Sequence, residues 1–166
     1  SIIIIGDFLF VHGGIFNTEE FKTKDDIINY NILISKLILG EFESGNSIGK
    51  REELIKNIFN RKSIFWDRTL GLLPDLPLSD PRCYNYLSRL FENLNVNNIV
   101  IGHTPNKDGV TTTCNNQIIR IDAANSKGFK LNRNNIQYVE ILNNTEIVKL
   151  TLDFKNKTKI GIPNFN

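Results

Sequence analysis

The sequence contains no methionine, one tryptophan, two histidines and two cysteines. Cys83 and Cys114 are too few for the disulfide framework of a small secreted scaffold, and they read as two thiols in a reducing compartment. No apolar run approaches the ~18 residues that a membrane span needs, since Ile2–Ile5 is interrupted by Gly6 and Asp7. No basic segment precedes that apolar start, as a secretory signal would require. Charge of one sign is lacking too: 20 Lys+Arg against 18 Asp+Glu leaves +2, which favours neither nucleic acid nor a membrane surface as partner. These shortages together predict a cytoplasmic protein. The missing methionine, with a start inside what reads as a strand, predicts a fragment or processed product of something longer.

What is present suits one globular domain. The 166 residues are 40% hydrophobic and 23% charged, enough to bury a single core. Asparagine is abundant, at about one residue in seven. Ile2–Ile5 and Phe8–Val11 read as two strands around a Gly6-Asp7 turn. Apolar residues between Glu19 and Leu39 recur at closer to helical spacing, with Gly40 as the stop. Ser44 to Gly49 reads as a polar loop and Lys50 to Phe59 as a short helix. Three prolines make Leu70 to Pro81 an irregular connection. Asp80 as N-cap and Pro81 as first helical residue open a helix to about Leu94, with Tyr84, Leu87, Leu90, Phe91 and Leu94 as its buried stripe.

Beyond Leu94 the segments are short and β-branched. Asn98–Ile101, Val110–Cys114, Gln117–Ile121, Ile136–Leu142 and Ile147–Asp153 read as strands, with Asn115-Asn116 as a hairpin turn. The class is therefore α/β in the α+β sense: helices first, then a mostly antiparallel sheet. One domain over 1–153 and a loosely ordered tail over 154–166 are expected.

Both histidines end apolar strands and stand beside glycine. His12 closes Phe8–Val11 and precedes Gly13-Gly14; His103 follows Ile99-Val100-Ile101-Gly102 and precedes Thr104-Pro105. Strand ends hold imidazoles on a rigid scaffold, and glycine lets backbone and ligand approach closely. Neutral imidazole is the commonest metal ligand, so the pair suggests half of a metal site, although two histidines choose no particular metal.

Four segments in order carry a resemblance: Phe10-Val11-His12-Gly13-Gly14-Ile15, Phe65-Trp66-Asp67-Arg68, Val100-Ile101-Gly102-His103-Thr104-Pro105 and Arg120-Ile121-Asp122. They resemble the second half of the calcineurin-like metallophosphoesterases of the phosphoprotein phosphatase superfamily. The bacterial-type branch, the Shewanella-like protein phosphatases, is the most similar. The resemblance covers roughly Phe8 to Leu142. Ala124 stands where that branch usually has glycine. The upstream motifs GD-x-HG, GD-x-x-DRG and GNHE are missing: Gly6-Asp7 runs into Phe8-Leu9, and Gly45-Asn46 into Ser47. The resemblance therefore implies the carboxyl-terminal half of a catalytic domain, a β-sandwich with flanking helices.

Several roles follow from the resemblance. His12 and His103 would ligate one ion of a dinuclear Mn, Fe or Zn site whose other ligands lie upstream, and Arg68 would bind substrate phosphate. Asp122 would orient a ligand histidine or cap a turn. The implied activity is hydrolysis of phosphate monoesters, chiefly phosphoprotein, by a metal-bound hydroxide, with the isolated chain inactive. The implied partners are a phosphorylated protein or other phosphate monoester, and the missing amino-terminal half. A diadenosine-polyphosphate-type nucleotide hydrolase and a non-catalytic binding module are the alternatives. Substrate contacts are expected in the loops Phe16–Lys24 and Leu70–Pro81. Ser126-Lys127-Gly128 lacks the upstream glycines of a phosphate-binding loop. Asn143-Asn144-Thr145 and Asn156-Lys157-Thr158 match the glycosylation pattern.

Overall fold

The computed structural model describes residues 1–15, 18–42, 47–130, 135–153 and 155–163. The chain opens with β1 (Ile2–Ile5) and β2 (Phe8–Val11), antiparallel about the Gly6-Asp7 turn. A 3-10 turn at Thr18–Glu20 precedes helix α1 (Lys24–Leu39). The helix starts later than Glu19 because Thr23 caps it: its hydroxyl accepts from Asp26 N–H at 3.3 Å, and Asp26 reciprocates toward the Thr23 amide at 2.8 Å. Gly40 ends it in the left-handed conformation, as expected. Helix α2 (Ser47–Ile58) takes in part of the predicted polar loop, whose residues 44–46 lie outside the described residues.

Helix α3 (Pro81–Leu94) has the predicted cap, Asp80 accepting from Arg82 N–H at 2.9 Å. Its buried stripe is Cys83, Leu87, Leu90 and Leu94. Tyr84 is 59% exposed and so is not part of it. The reason is rotation: steps of four, three and four residues keep one face, and Tyr84 sits about 100° around from Cys83. Phe91 is half-buried against the same core.

Strands β3 (Asn98–Ile101), β4 (Thr111–Thr113) and β5 (Ile118–Arg120) complete a five-stranded sheet of order β1-β2-β3-β5-β4. Its centre, β2-β3-β5, is parallel; only β1-β2 and the β4-β5 hairpin are antiparallel. The expected antiparallel pairing holds at both flanks of this sheet, while β2 and β3 run parallel because the helices between them form a crossover that returns the chain in the same direction. Cys114, Asn115 and Asn116 all take positive φ in the β4-β5 turn, as the asparagines predicted.

Strand alternation sends the two faces of this sheet to different cores. Leu9, Val11, Ile99, Ile101 and Ile118 join the helices on one side. Phe8, Val100 and Ile119 meet Ile147, Val139 and Ile141 on the other. The last three belong to a second, antiparallel sheet of β6 (Asn135–Leu142), β7 (Glu146–Asp153) and β8 (Thr158–Pro163). The described protein is thus an α+β assembly of two sheets with helices. The segment expected as a loose tail supplies β8, because main-chain pairing with β7 orders it although its side chains remain exposed.

Cys83 and Cys114 are joined as a disulfide, with Cα atoms 5.6 Å apart. Separate thiols were expected; the fold instead brings the buried face of α3 against the β4-β5 turn, within bridging range. Paired in this way, the two cysteines give no indication of a reducing compartment. Among the described residues, no helix is long and apolar enough to cross a membrane.

Candidate functional site

Parallel neighbours β2 and β3 are in register, Val11 opposite Ile101, so their carboxyl ends lie side by side. The residues just beyond are His12 and Gly102-His103. Gly102 N–H donates to the His12 carbonyl at 2.8 Å, which ties the two strand exits together. The two imidazole rings lie 5.0 Å apart, centre to centre. The duplicated histidine pattern of the sequence is therefore one place in the fold.

Segment 63–68 packs over this edge. Gly13 N–H donates to the Ile64 carbonyl at 2.7 Å. A Cβ on Gly14 would come within 2.6 Å of Asp67 Oδ2, and one on Gly13 within 2.8 Å of the Asp67 carbonyl. Both positions must stay bare for the segment to seat. That seating brings Trp66 edge-on to His103, ring centres 5.3 Å apart, and lets Arg68 Nη1 donate to the His103 carbonyl at 2.8 Å.

His103 has φ +59°, a conformation that side chains rarely adopt, and its Nε2 is buried with no hydrogen-bond partner. Backbone strain and an orphaned nitrogen together mark a position held for a purpose other than packing. Burial first, then the Arg68 guanidinium and His12, hold its pKa below the ordinary histidine value; Asp122 and a hydrogen bond to the Trp66 backbone oppose them. Low basicity keeps the ring neutral, the state in which imidazole ligates metal.

Asp122, half-buried, therefore acts electrostatically on His103 while its Oδ1 accepts from Ala124 N–H at 3.2 Å. Of the two roles considered for it, the bond to Ala124 N–H is the turn cap; toward His103 it acts through its charge. Ala124 takes φ +50°, so the residue standing where glycine is usual keeps glycine's backbone. Departing from glycine there costs about 1–2 kcal/mol.

Two residues escaped the sequence reading. Asp67, 2% exposed, accepts from the Thr69 amide at 3.1 Å and hydroxyl at 2.6 Å, fixing the turn that aims Arg68. Arg120 turns inward from β5 and donates to the Leu73 and Thr112 carbonyls at 2.5 and 2.7 Å. Their short motifs, Trp-Asp-Arg and Arg-Ile-Asp, were the available signals, but nothing in a motif says which side chain faces inward.

Two imidazole nitrogens bound about 2 Å from one ion, at a tetrahedral angle, set their ring centres roughly 5 Å apart. The observed separation meets that condition. Among the described residues, no cluster of three or more His, Cys, Asp or Glu side chains is placed to hold an ion. The 5.0 Å ring separation is the observation that bears on a shared ion, and no described side chain completes a group of three around it.

No family model matches the chain, and no solved structure matches it. Among curated proteins, an uncharacterized protein of Acanthamoeba polyphaga mimivirus is 24% identical over 177 residues, covering 94% of this chain and 68% of that protein. That name states no activity and lends none to this chain.

Proposed function

We propose that the chain forms part of a metal-dependent phosphatase acting on phosphate monoesters, chiefly phosphoproteins. One observation carries this reading: two imidazoles at ion-sharing separation on adjacent strand ends, with an arginine anchored beside them. A divalent ion held there would polarise phosphate oxygens as a Lewis acid. The chain's own residues do the rest. His12 and His103 offer neutral nitrogens, and Trp66 fixes the His103 ring from its edge. Arg68 spends one nitrogen on the His103 carbonyl and keeps the rest of its fork for two phosphate oxygens, a geometry lysine lacks.

The test uses the full-length protein, carrying the remaining ligands that the motif resemblance places upstream. Arg68→Ala lowers turnover of an aryl phosphate by the equivalent of about 2.7–4 kcal/mol and leaves bound metal unchanged, since the residue is assigned to substrate. His103→Ala lowers metal content and rate together. Wild-type turnover in Arg68→Ala, or metal loss equal to that of His103→Ala, overturns the assignment. Full occupancy by metal without turnover in the wild type favours the non-catalytic binding module instead.

A further inference from the structure

The segment from Leu70 to Asp80 is a strap without helix or strand that leads from Arg68 to the N-cap of α3. At its start, Leu72 N–H donates to the Arg68 carbonyl at 3.0 Å. Beyond that point the β4-β5 hairpin holds it. Arg120 Nη1 donates to the Leu73 carbonyl at 2.5 Å. The Thr113 hydroxyl donates to the Pro74 carbonyl at 2.8 Å and accepts from Leu76 N–H at 3.1 Å. Asn115 Oδ1 accepts from Leu78 N–H at 3.3 Å. Thr113 and Asn115 are the residues on either side of Cys114. The disulfide joins Cys114 to Cys83, in the first turn of α3. One covalent bond thereby fastens the turn that holds the strap to the helix in which the strap ends.

The two sides of that bond differ in rigidity. Cys83 lies on the buried stripe of α3 with Leu87, Leu90 and Leu94. Cys114, Asn115 and Asn116 take φ of +55°, +52° and +66° in succession, a conformation that side chains adopt only at a cost. Beside that turn, between strap and hairpin, lies a cavity of about 360 Å³ lined by Asp75, Leu76, Pro77, Asn115 and Asn116. Two free thiols stand further apart than two bonded sulfurs, and a close-packed core does not stretch to admit them. The turn is the side that gives way, because its backbone is strained and it borders open space.

We propose that Cys83–Cys114 is a redox switch for the strap, which the disulfide holds in place and a dithiol reductant releases. One reductant thiolate attacks a cysteine sulfur to give a mixed disulfide, and the second thiolate expels that cysteine. Two electrons and two protons pass to the protein, leaving two thiols, and the reductant departs as its own cyclic disulfide. Both cysteines are fully buried, so exchange waits on local opening of the turn. Once the bond is reduced, the turn shifts and the bonds from Leu76 and Leu78 to Thr113 and Asn115 open. Leu73 stays in place, since Arg120 holds it from β5, between β3 and β4 in the sheet. That a loosened strap weakens substrate binding beyond Arg68 is a consequence resting on the phosphatase reading; the switch itself does not rest on it.

The test follows amide shifts and backbone order parameters of the isotope-labelled chain in three states, with free thiols counted in each. These are the oxidised chain, the chain reduced with dithiothreitol, and the chain reoxidised with oxidised glutathione. On reduction, Leu76 and Leu78 fall from a rigid order parameter of about 0.85 to below about 0.6. Ile101 and Leu87 keep their values, and reoxidation restores the first state. Free thiols with unchanged order at Leu76 and Leu78 overturn the proposal. So does a bond that dithiothreitol does not cleave in the folded chain. A reduced chain that loses order throughout also overturns it, since the bond is then a structural cross-link only. Aryl phosphate turnover by the full-length protein reads the consequence separately. Equal turnover in the two redox states, with Leu76 and Leu78 released, removes the effect on substrate and keeps the switch.

Discussion

His103 is the residue on which most of the local physics converges: a left-handed backbone, an unpartnered buried nitrogen, a guanidinium on its carbonyl and a second imidazole in front. Its lowered pKa gives a prediction for the metal-free chain. The ring titrates below the ordinary value of about 6.5, and Arg68→Ala raises it by removing a neighbouring positive charge. The sign for stability follows from proton counts. Between the folded pKa and about 6.5 the unfolded chain binds more protons, so this contribution is full above ~6.5 and is lost as pH falls toward the folded value. Imidazole resonances followed from pH 8 to 5 check the first part, and urea melts across the same range check the second. A His103 midpoint at or above that of an unfolded-state histidine contradicts the electrostatic account.

At the scale of elements, the strap between Leu70 and Pro81 depends on contacts far away in sequence. The disulfide closes a separation of 31 residues and holds the turn that anchors it. In the chain-entropy view, a loop of that length stabilises the fold by about 3–4 kcal/mol. Cys114→Ser is expected to lower stability by that order in denaturant melts, and an unchanged melt contradicts it. The same distinction between near and far explains what was legible beforehand. The β1-β2 hairpin, the Asp80-Pro81 cap, the Gly40 stop and the Asn115-Asn116 turn are set within a few residues, so residue type reveals them. The parallel direction of β3, the pairing of β8 and the Cys83–Cys114 bond are set by the crossover and by face-to-face packing, which short windows do not contain. Tyr84 falls outside the expected stripe for a finer reason, one helical position on an amphipathic face.

For the whole molecule, the five-stranded sheet separates a helix-packed core from a sheet-packed one and brings the carboxyl ends of β2 and β3 to one edge. Segment 63–68 adds Arg68 to that edge. The candidate histidines were readable because each ended a strand next to glycine; that they face one another was not, since adjacency of β2 and β3 is a property of the assembled sheet. Arg120 was invisible for the same reason, its partners Leu73 and Thr112 lying on other segments, whereas Asp67 bonds within its own turn and only its burial was hidden. The phosphatase proposal stands on His12 and His103 sharing one ion. Calorimetric titration of the chain with Zn²⁺ at pH 7.5 tests it most directly, alongside His12→Ala and His103→Ala. Weak binding near one ion per chain, reduced about ten-fold or more by either replacement alone, is the predicted result; wild-type affinity and stoichiometry in either single variant would contradict it.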